Sequence, residues 1–358
     1  MLHRKQYRVA VRVTIMVLAL TLTACGTQEN TGSTESVKST ETVENTENMK
    51  STETVENTET VKGTETVEST ETIENVEIIE AMVLESVVPQ GTANVTPQMQ
   101  PVEYTNLQQI TLDSTWEYAD HSKINTGAAV LYPASEESGR KGIVIGVNAG
   151  HGTVGGSKVK TLCHPDGSAK VTGGSTAAGA MEAAAVSGGM TFQDGTPERE
   201  VTLRMAQILR DKLLSSGYDV LMLRDSEDVQ LDNVARTVIC NNVADCHIAL
   251  HWDSGDGKNY DKGCFYISVP EALKNMEPVA SHWQQHDTLG TDLVEGLREQ
   301  GATIYGKGHM GIDLTQTSYS TIPSVDMELG NAYSDHSDVI LEQLATGLLT
   351  GINTYFEQ

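Results

Sequence analysis

From Glu35 to Glu80 a glutamate or lysine falls at every third position, and this spacing removes a long stretch of the chain from any core. Period three matches neither the 3.6-residue repeat of a helix nor the two-residue repeat of a strand, so no single face collects the Thr and Val between the charges. Lys38, Lys50 and Lys62 open twelve-residue units that lack Leu, Phe or a regular glycine turn, which argues against a stacked repeat fold. Residues 26–90 hold three lysines against fifteen glutamates. A segment this polar cannot offset its chain entropy and is expected to be a disordered linker. Between Gly26 and Val87 it would span roughly 45 Å as a coil and at most about 200 Å extended. Pro89, Pro97 and Pro101 close it, so the expected organisation is a signal segment over 1–24, a linker over 25–105 and a folded domain over 106–358.

Ahead of the linker, Arg4, Lys5, Arg8 and Arg12 precede an apolar run over residues 13–22. That run is about half of the ~20 residues needed to cross a bilayer, so it reads as a signal peptide and not as a span. It ends Leu22-Thr23-Ala24-Cys25-Gly26, which resembles a bacterial lipobox. Cys25 is therefore expected to carry lipid and to tether the mature protein to the membrane, outside the cytoplasm. The whole chain sets 24 Lys and Arg against 49 Asp and Glu, and its only basic cluster is at the N-terminus. Such a body repels phosphodiester backbones, which excludes nucleic acid as a partner. Five cysteines without a Cys-x-x-Cys pair make neither a disulfide scaffold nor a zinc ribbon. Cys163, Cys240, Cys246 and Cys264 allow three full pairings, but the last three fall on core elements and read as buried thiols. Nothing in the sequence sets the oligomeric state.

Beyond residue 140 apolar runs alternate with amphipathic helices. Residues 143–147 read as a buried strand stopping at the turn Asn148-Ala149-Gly150-His151-Gly152. Residues 198–216 read as a helix with Val201, Met205, Ile208, Leu209 and Leu213 on one face and Gly217 as its stop. Further strands are expected over 218–223, 246–251, 263–269 and 322–329, and helices over 232–243, 279–298 and 338–356. This alternation predicts an α/β domain of three layers, a largely parallel central sheet flanked by helices. His151, His251 and Glu328 fall at the carboxyl ends of predicted strands, where open α/β sheets place their ligands, and Glu198 opens a helix. Two imidazoles and one carboxylate make a three-ligand shell of the catalytic zinc type, with a second carboxylate nearby as its base.

Four segments taken in order, Val144-Ile-Gly-Val-Asn-Ala-Gly-His151-Gly, Pro197-Glu198-Arg-Glu-Val-Thr-Leu203, Asp245-Cys-His-Ile-Ala-Leu-His251 and Pro323-Ser-Val-Asp-Met-Glu328-Leu-Gly-Asn331, resemble the motifs of the zinc-dependent N-acetylmuramoyl-L-alanine amidases. The resemblance covers residues 141–358. It implies peptidoglycan as partner and substrate, one catalytic zinc ion held by His151, Glu198 and His251, and Glu328 as the catalytic carboxylate. Rival readings are a catalytically silent wall-binding lipoprotein and a zinc carboxypeptidase acting on wall peptides. The chain departs from the family pattern in having Asn148-Ala149 for Asp-Pro, Thr202 for Asn, and a long Gly/Ala-rich insertion up to Pro197 that reads as a rim or lid. Within the insertion, residues 176–186 are compatible with a short helix, on which Glu182 is a candidate plug for the metal, and Cys163-His164 reads as loop. His247, on the strand face of His251, reads as a core or second-layer histidine; Asp326, on the face of Glu328, as a residue orienting it or as a satisfied strand carboxylate. Trp252 and Trp283 could stack on sugar rings, but isolated tryptophans more often pack in cores or rims.

Overall fold

The computed structural model describes residues 104–254 and 257–357. The expected signal segment, Cys25 and nearly all of the linker lie outside them. In chain order the elements are β1 (Gln108–Ile110), β2 (Ala129–Tyr132), β3 (Val144–Ala149), β4 (Lys160–Leu162), β5 (Glu182–Ala184), α1 (Glu198–Ser215), β6 (Asp219–Met222), α2 (Asn233–Val243), β7 (Cys246–Asp253), β8 (Cys264–Ser268), α3 (Val279–Glu299), β9 (Ile304–Gly311), α4 (Thr315–Tyr319), β10 (Ser324–Asn331) and α5 (Asp338–Phe356).

Eight strands form one sheet in the order β1-β2-β6-β3-β7-β10-β8-β9, and β4 pairs with β5 in a separate hairpin. The central strands β6, β3, β7 and β10 are mutually parallel, whereas β2 and β8 join them antiparallel. From β3 the chain crosses through α1 to β6 on one side, then returns through α2 to β7 on the other. Crossovers keep one hand, so opposite directions of travel put α1 and α2 on opposite faces. The strand residues record this: Val220 and Met222 pack with α1 residues such as Met205 and Leu209, while Leu221 and Leu223 pack with Ala235 and Ile239 of α2. At roughly 1.5–3 kcal/mol for each fully buried Val or Leu side chain, both faces are strongly specified.

On the α1 face, α3 and α5 lie close enough that a Cβ on Gly296 would come within 2.3 Å of the Gly347 carbonyl oxygen, so this crossing needs glycine. Gly217, at φ 85°, ends α1 in the left-handed region as its position in the sequence predicts. The reversal of strand order at β3 creates a crevice at the carboxyl ends of β3 and β7, the position where doubly wound sheets bind ligands.

Candidate metal centre and catalytic cleft

His151 lies just past β3 with φ 64°, a left-handed conformation rare for a side chain with a Cβ. Its neighbours explain the Gly-His-Gly pattern. A Cβ at Gly150 would sit 2.3 Å from the His251 ring, and Gly152 has φ 70° with the Arg224 side chain 2.5 Å from where a Cβ would be. Two buried guanidiniums hold this turn. Arg236 donates to the Asn148 side chain at 3.0 Å, to the carbonyl of Ala149 at 3.2 Å and to that of His151 at 2.7 Å. Arg224 donates to the carbonyls of Ala149 at 3.1 Å and Gly150 at 3.0 Å and to the Thr202 hydroxyl at 2.9 Å, and that hydroxyl donates to Gly150 at 2.9 Å. Asn148 and Thr202, two of the residues at which the sequence reading departs from the family pattern, are thus built into the support of the His151 turn.

Glu198 is the first residue of α1 and buried. Its Oε1 lies 2.8 Å from His151 Nε2 and 3.1 Å from His251 Nδ1, and those two nitrogens are 3.1 Å apart. These are the three ligand residues anticipated from the sequence, and they form the only such group of metal-binding type among the described residues. Burial alone would raise the Glu198 carboxyl, but hydrogen bonds and charge from both histidines outweigh it and hold it far below the usual carboxylate range. His251 is opposed by burial, yet Asp326, Glu198 and Glu328 push it up to about 10.

Glu328 stands beside His251 in the parallel β7–β10 register. Burial, then the neighbouring Asp326 charge, raises its carboxyl well above the ordinary value. Asp326 is raised by burial as well, and its Oδ2 faces His251 Nε2 at 3.8 Å. All five side chains line a cleft of about 500 Å³ whose far wall is the insertion.

The remaining candidates fall elsewhere. His247 is fully buried, with burial, Arg236 and His286 lowering it to about 3, and is a core residue. Residues 182–184 form β5 and not a helix: pairing with β4 overrides the helical leaning of an Ala-rich segment. Glu182 is exposed on that strand and is not among the metal-binding group, so the plug reading fails. Cys163, Cys240, Cys246 and Cys264 are buried free thiols. Trp252 is buried against Phe192, and Trp283 is half-buried under the Lys274 ammonium at 3.9 Å, so neither offers an open ring face. Sequence reasoning missed Arg224 and Arg236. The one available signal was an arginine set among Val234, Ala235, Val238 and Ile239 in the apolar stretch of α2.

Residues 145–347 match the model of the N-acetylmuramoyl-L-alanine amidase family. Among solved structures, the N-acetylmuramyl-L-alanine amidase of Mycobacterium smegmatis is similar at 17% identity and a TM-score of 0.50, over 60% of this chain and 97% of that one. The enzyme of Mycobacterium abscessus shares 20% identity at a TM-score of 0.48, over 60% and 99%. That of Nostoc punctiforme shares 16% at 0.45, over 61% and 99%. No curated protein matches the sequence. The family match runs from β3 through most of α5, more than half of the chain, and therefore takes in every element that brings a side chain to this cleft: the chain belongs to the N-acetylmuramoyl-L-alanine amidase family, whose members hydrolyse peptidoglycan.

Proposed function

We propose that this amidase is zinc-dependent and lipid-tethered, cutting the amide between the lactyl group of N-acetylmuramic acid and L-alanine, with His151, Glu198 and His251 as zinc ligands, Glu328 as general base and acid, and Cys25 as the anchor. The convergence of His151 Nε2, Glu198 Oε1 and His251 Nδ1 within 2.8–3.1 Å of one another carries the reading. Tetrahedral zinc with bonds of ~2.0–2.1 Å sets its donor atoms ~3.3 Å apart, so this set fits after slight widening. Zinc when bound supplies Lewis-acid chemistry, polarising a carbonyl and acidifying water.

The chain's own groups supply the rest. Glu328 takes a proton from the attacking water and returns it to the nitrogen of the departing L-alanine, which balances the hydrolysis. Burial raises the Glu328 carboxyl in the metal-free site, and the charge of a bound zinc ion would lower it toward the range in which it can take and return that proton. Asp326, facing His251 Nε2, fixes the ring so that Nδ1 points at Glu198. Arg224 and Arg236 hold the His151 turn in its left-handed conformation.

Mass spectrometry of digested muropeptides tests the reading. The expected products carry a free amino terminus on L-alanine and a free lactyl carboxylate on muramic acid. Release of D-alanine would make the protein a carboxypeptidase, and an unchanged digest would leave a wall-binding lipoprotein.

A further inference from the structure

We propose that residues 187–190, the end of the insertion, are a positioning part of the metal centre, orienting His151 and Glu198 for the ion, and that the insertion is a fixed wall of the cleft and not a lid. The inference rests on the zinc reading above and adds to it a role for the end of the insertion.

Three contacts carry it. His151 Nδ1 lies 3.0 Å from the Ser187 carbonyl oxygen. The carbonyl only accepts, and the Ser187 hydroxyl at 3.1 Å can accept as well, so a proton on Nδ1 serves both and Nε2, the atom facing Glu198, is the nitrogen that gives up its proton to a metal. The Met190 N–H donates to Glu198 Oε2 at 2.8 Å, which leaves Oε1 as the oxygen turned toward both histidines, and Glu198 N–H donates back to the Met190 carbonyl at 3.0 Å. Between them Gly189, at φ 81°, presses its backbone on the ligands: a Cβ there would lie 2.8 Å from His151 Cδ2 and 3.0 Å from both His151 Nε2 and Glu198 Oε2. By contrast, a Cβ on Gly173, in the exposed body of the insertion, would meet nothing nearer than the Ala178 backbone nitrogen at 4.0 Å.

The body of the insertion is also fixed. His164 and Asp313 are both fully buried, and His164 Nε2 lies 2.9 and 3.0 Å from the two carboxylate oxygens. The Val171 N–H donates to the same carboxylate at 2.7 Å, the Asp313 N–H donates to Thr172 Oγ1 at 2.8 Å, and the Lys170 ammonium donates to the Asp313 carbonyl. Asn233 N–H, at the start of α2, donates to the Ala185 carbonyl at 3.1 Å. Opening would leave these buried groups unpaired together, whereas a lid needs few buried contacts.

The test uses the purified full chain in detergent, stripped of metal and titrated with Zn²⁺ by calorimetry. Gly189→Ala should weaken zinc binding about 10- to 100-fold, the usual effect of disturbing groups that orient ligands, while Gly173→Ala, in the body of the insertion, should bind as wild type does. In the metal-free wild type, nitrogen NMR of the imidazoles should find His151 protonated on Nδ1. That measurement stands even where Gly189→Ala fails to fold. Equal zinc affinity in Gly189→Ala and wild type, or a His151 that lacks the Nδ1 proton, overturns the proposal alone. A wild type that takes up no zinc overturns the metal reading and this proposal with it.

Discussion

Replacing His247 with leucine should change how stability depends on pH, by an amount that follows from the burial of one ring. His247 sits in the sheet interior, and burial first, then the charges of Arg236 and His286, lower it from 6.5 to about 3. The unfolded chain regains the ordinary value, so between pH 6.5 and 3 the unfolded state binds a proton that the folded state refuses. Stability from this group is therefore complete above pH 6.5 and is lost as pH falls. At pH 7.5 the effect is below about 0.1 kcal/mol, and at pH 5.0 it reaches about 2 kcal/mol. Leucine does not titrate, and neither ring nitrogen of His247 has a hydrogen-bond partner among the described residues, so the exchange strands no buried amide or carbonyl. Urea unfolding of both proteins in chelator, at pH 7.5 and 5.0, isolates the quantity, because Glu198, His251, Asp326 and Glu328 are common to both and cancel. The variant should gain about 2 kcal/mol relative to wild type over that interval. A change under about 0.5 kcal/mol, or one of opposite sign, would refute the claim that His247 is held neutral in the core.

Further outcomes separate the roles assigned to the cleft and the anchor. Glu198→Ala should lose zinc and activity together, whereas Glu328→Gln should keep near-stoichiometric zinc and lose ~10²–10⁴ in turnover; a zinc-free Glu328→Gln would make Glu328 a ligand. Asp326→Asn should cost ~10- to 100-fold in zinc affinity or activity by loosening His251, and wild-type values for both would remove Asp326 from the site. Cys25→Ser should leave the protein unlipidated and move it out of the detergent phase, and unchanged partitioning would contradict the lipobox reading.

What the sequence made legible follows from burial. The central strand β3 and the middle of β7 are buried and read as apolar runs, β10 alternates Val325, Met327 and Leu329 with Asp326 and Glu328, and α1, α3 and α5 carry apolar stripes because each packs on the sheet. Elements without that cover left no such pattern. β9 lies at the sheet edge and contains Gly306, Gly308 and Gly311 among largely exposed residues, α4 is one polar turn and a half, and β4 and β5 have three residues each. Pairing with a neighbour, and not composition, makes these segments regular.

The site divides along the same line. His151, Glu198 and His251 announce themselves because a metal ligand must be a particular side chain, and the fold confines it to strand ends and a helix start. The groups that orient them largely do so through backbone: the Ser187 carbonyl, the Met190 amide and the carbonyls gripped by Arg224 and Arg236 have no residue signature. Arg236 makes the point most fully. Its guanidinium is spent on Leu231, Asn148, Ala149, His151 and Thr153 oxygens, none of them a carboxylate. Asn148 accepts from Arg236 without bringing a charge, and burial, then repulsion from Arg224, pulls Arg236 down to about 9 against the opposing charges of Asp232 and Asp228. This cation, favoured only by those two charges, lines a cleft that also carries Glu198, Asp253, Asp326 and Glu328. It offsets part of that negative field, and replacing Asn148 by Asp would remove the offset while keeping the turn.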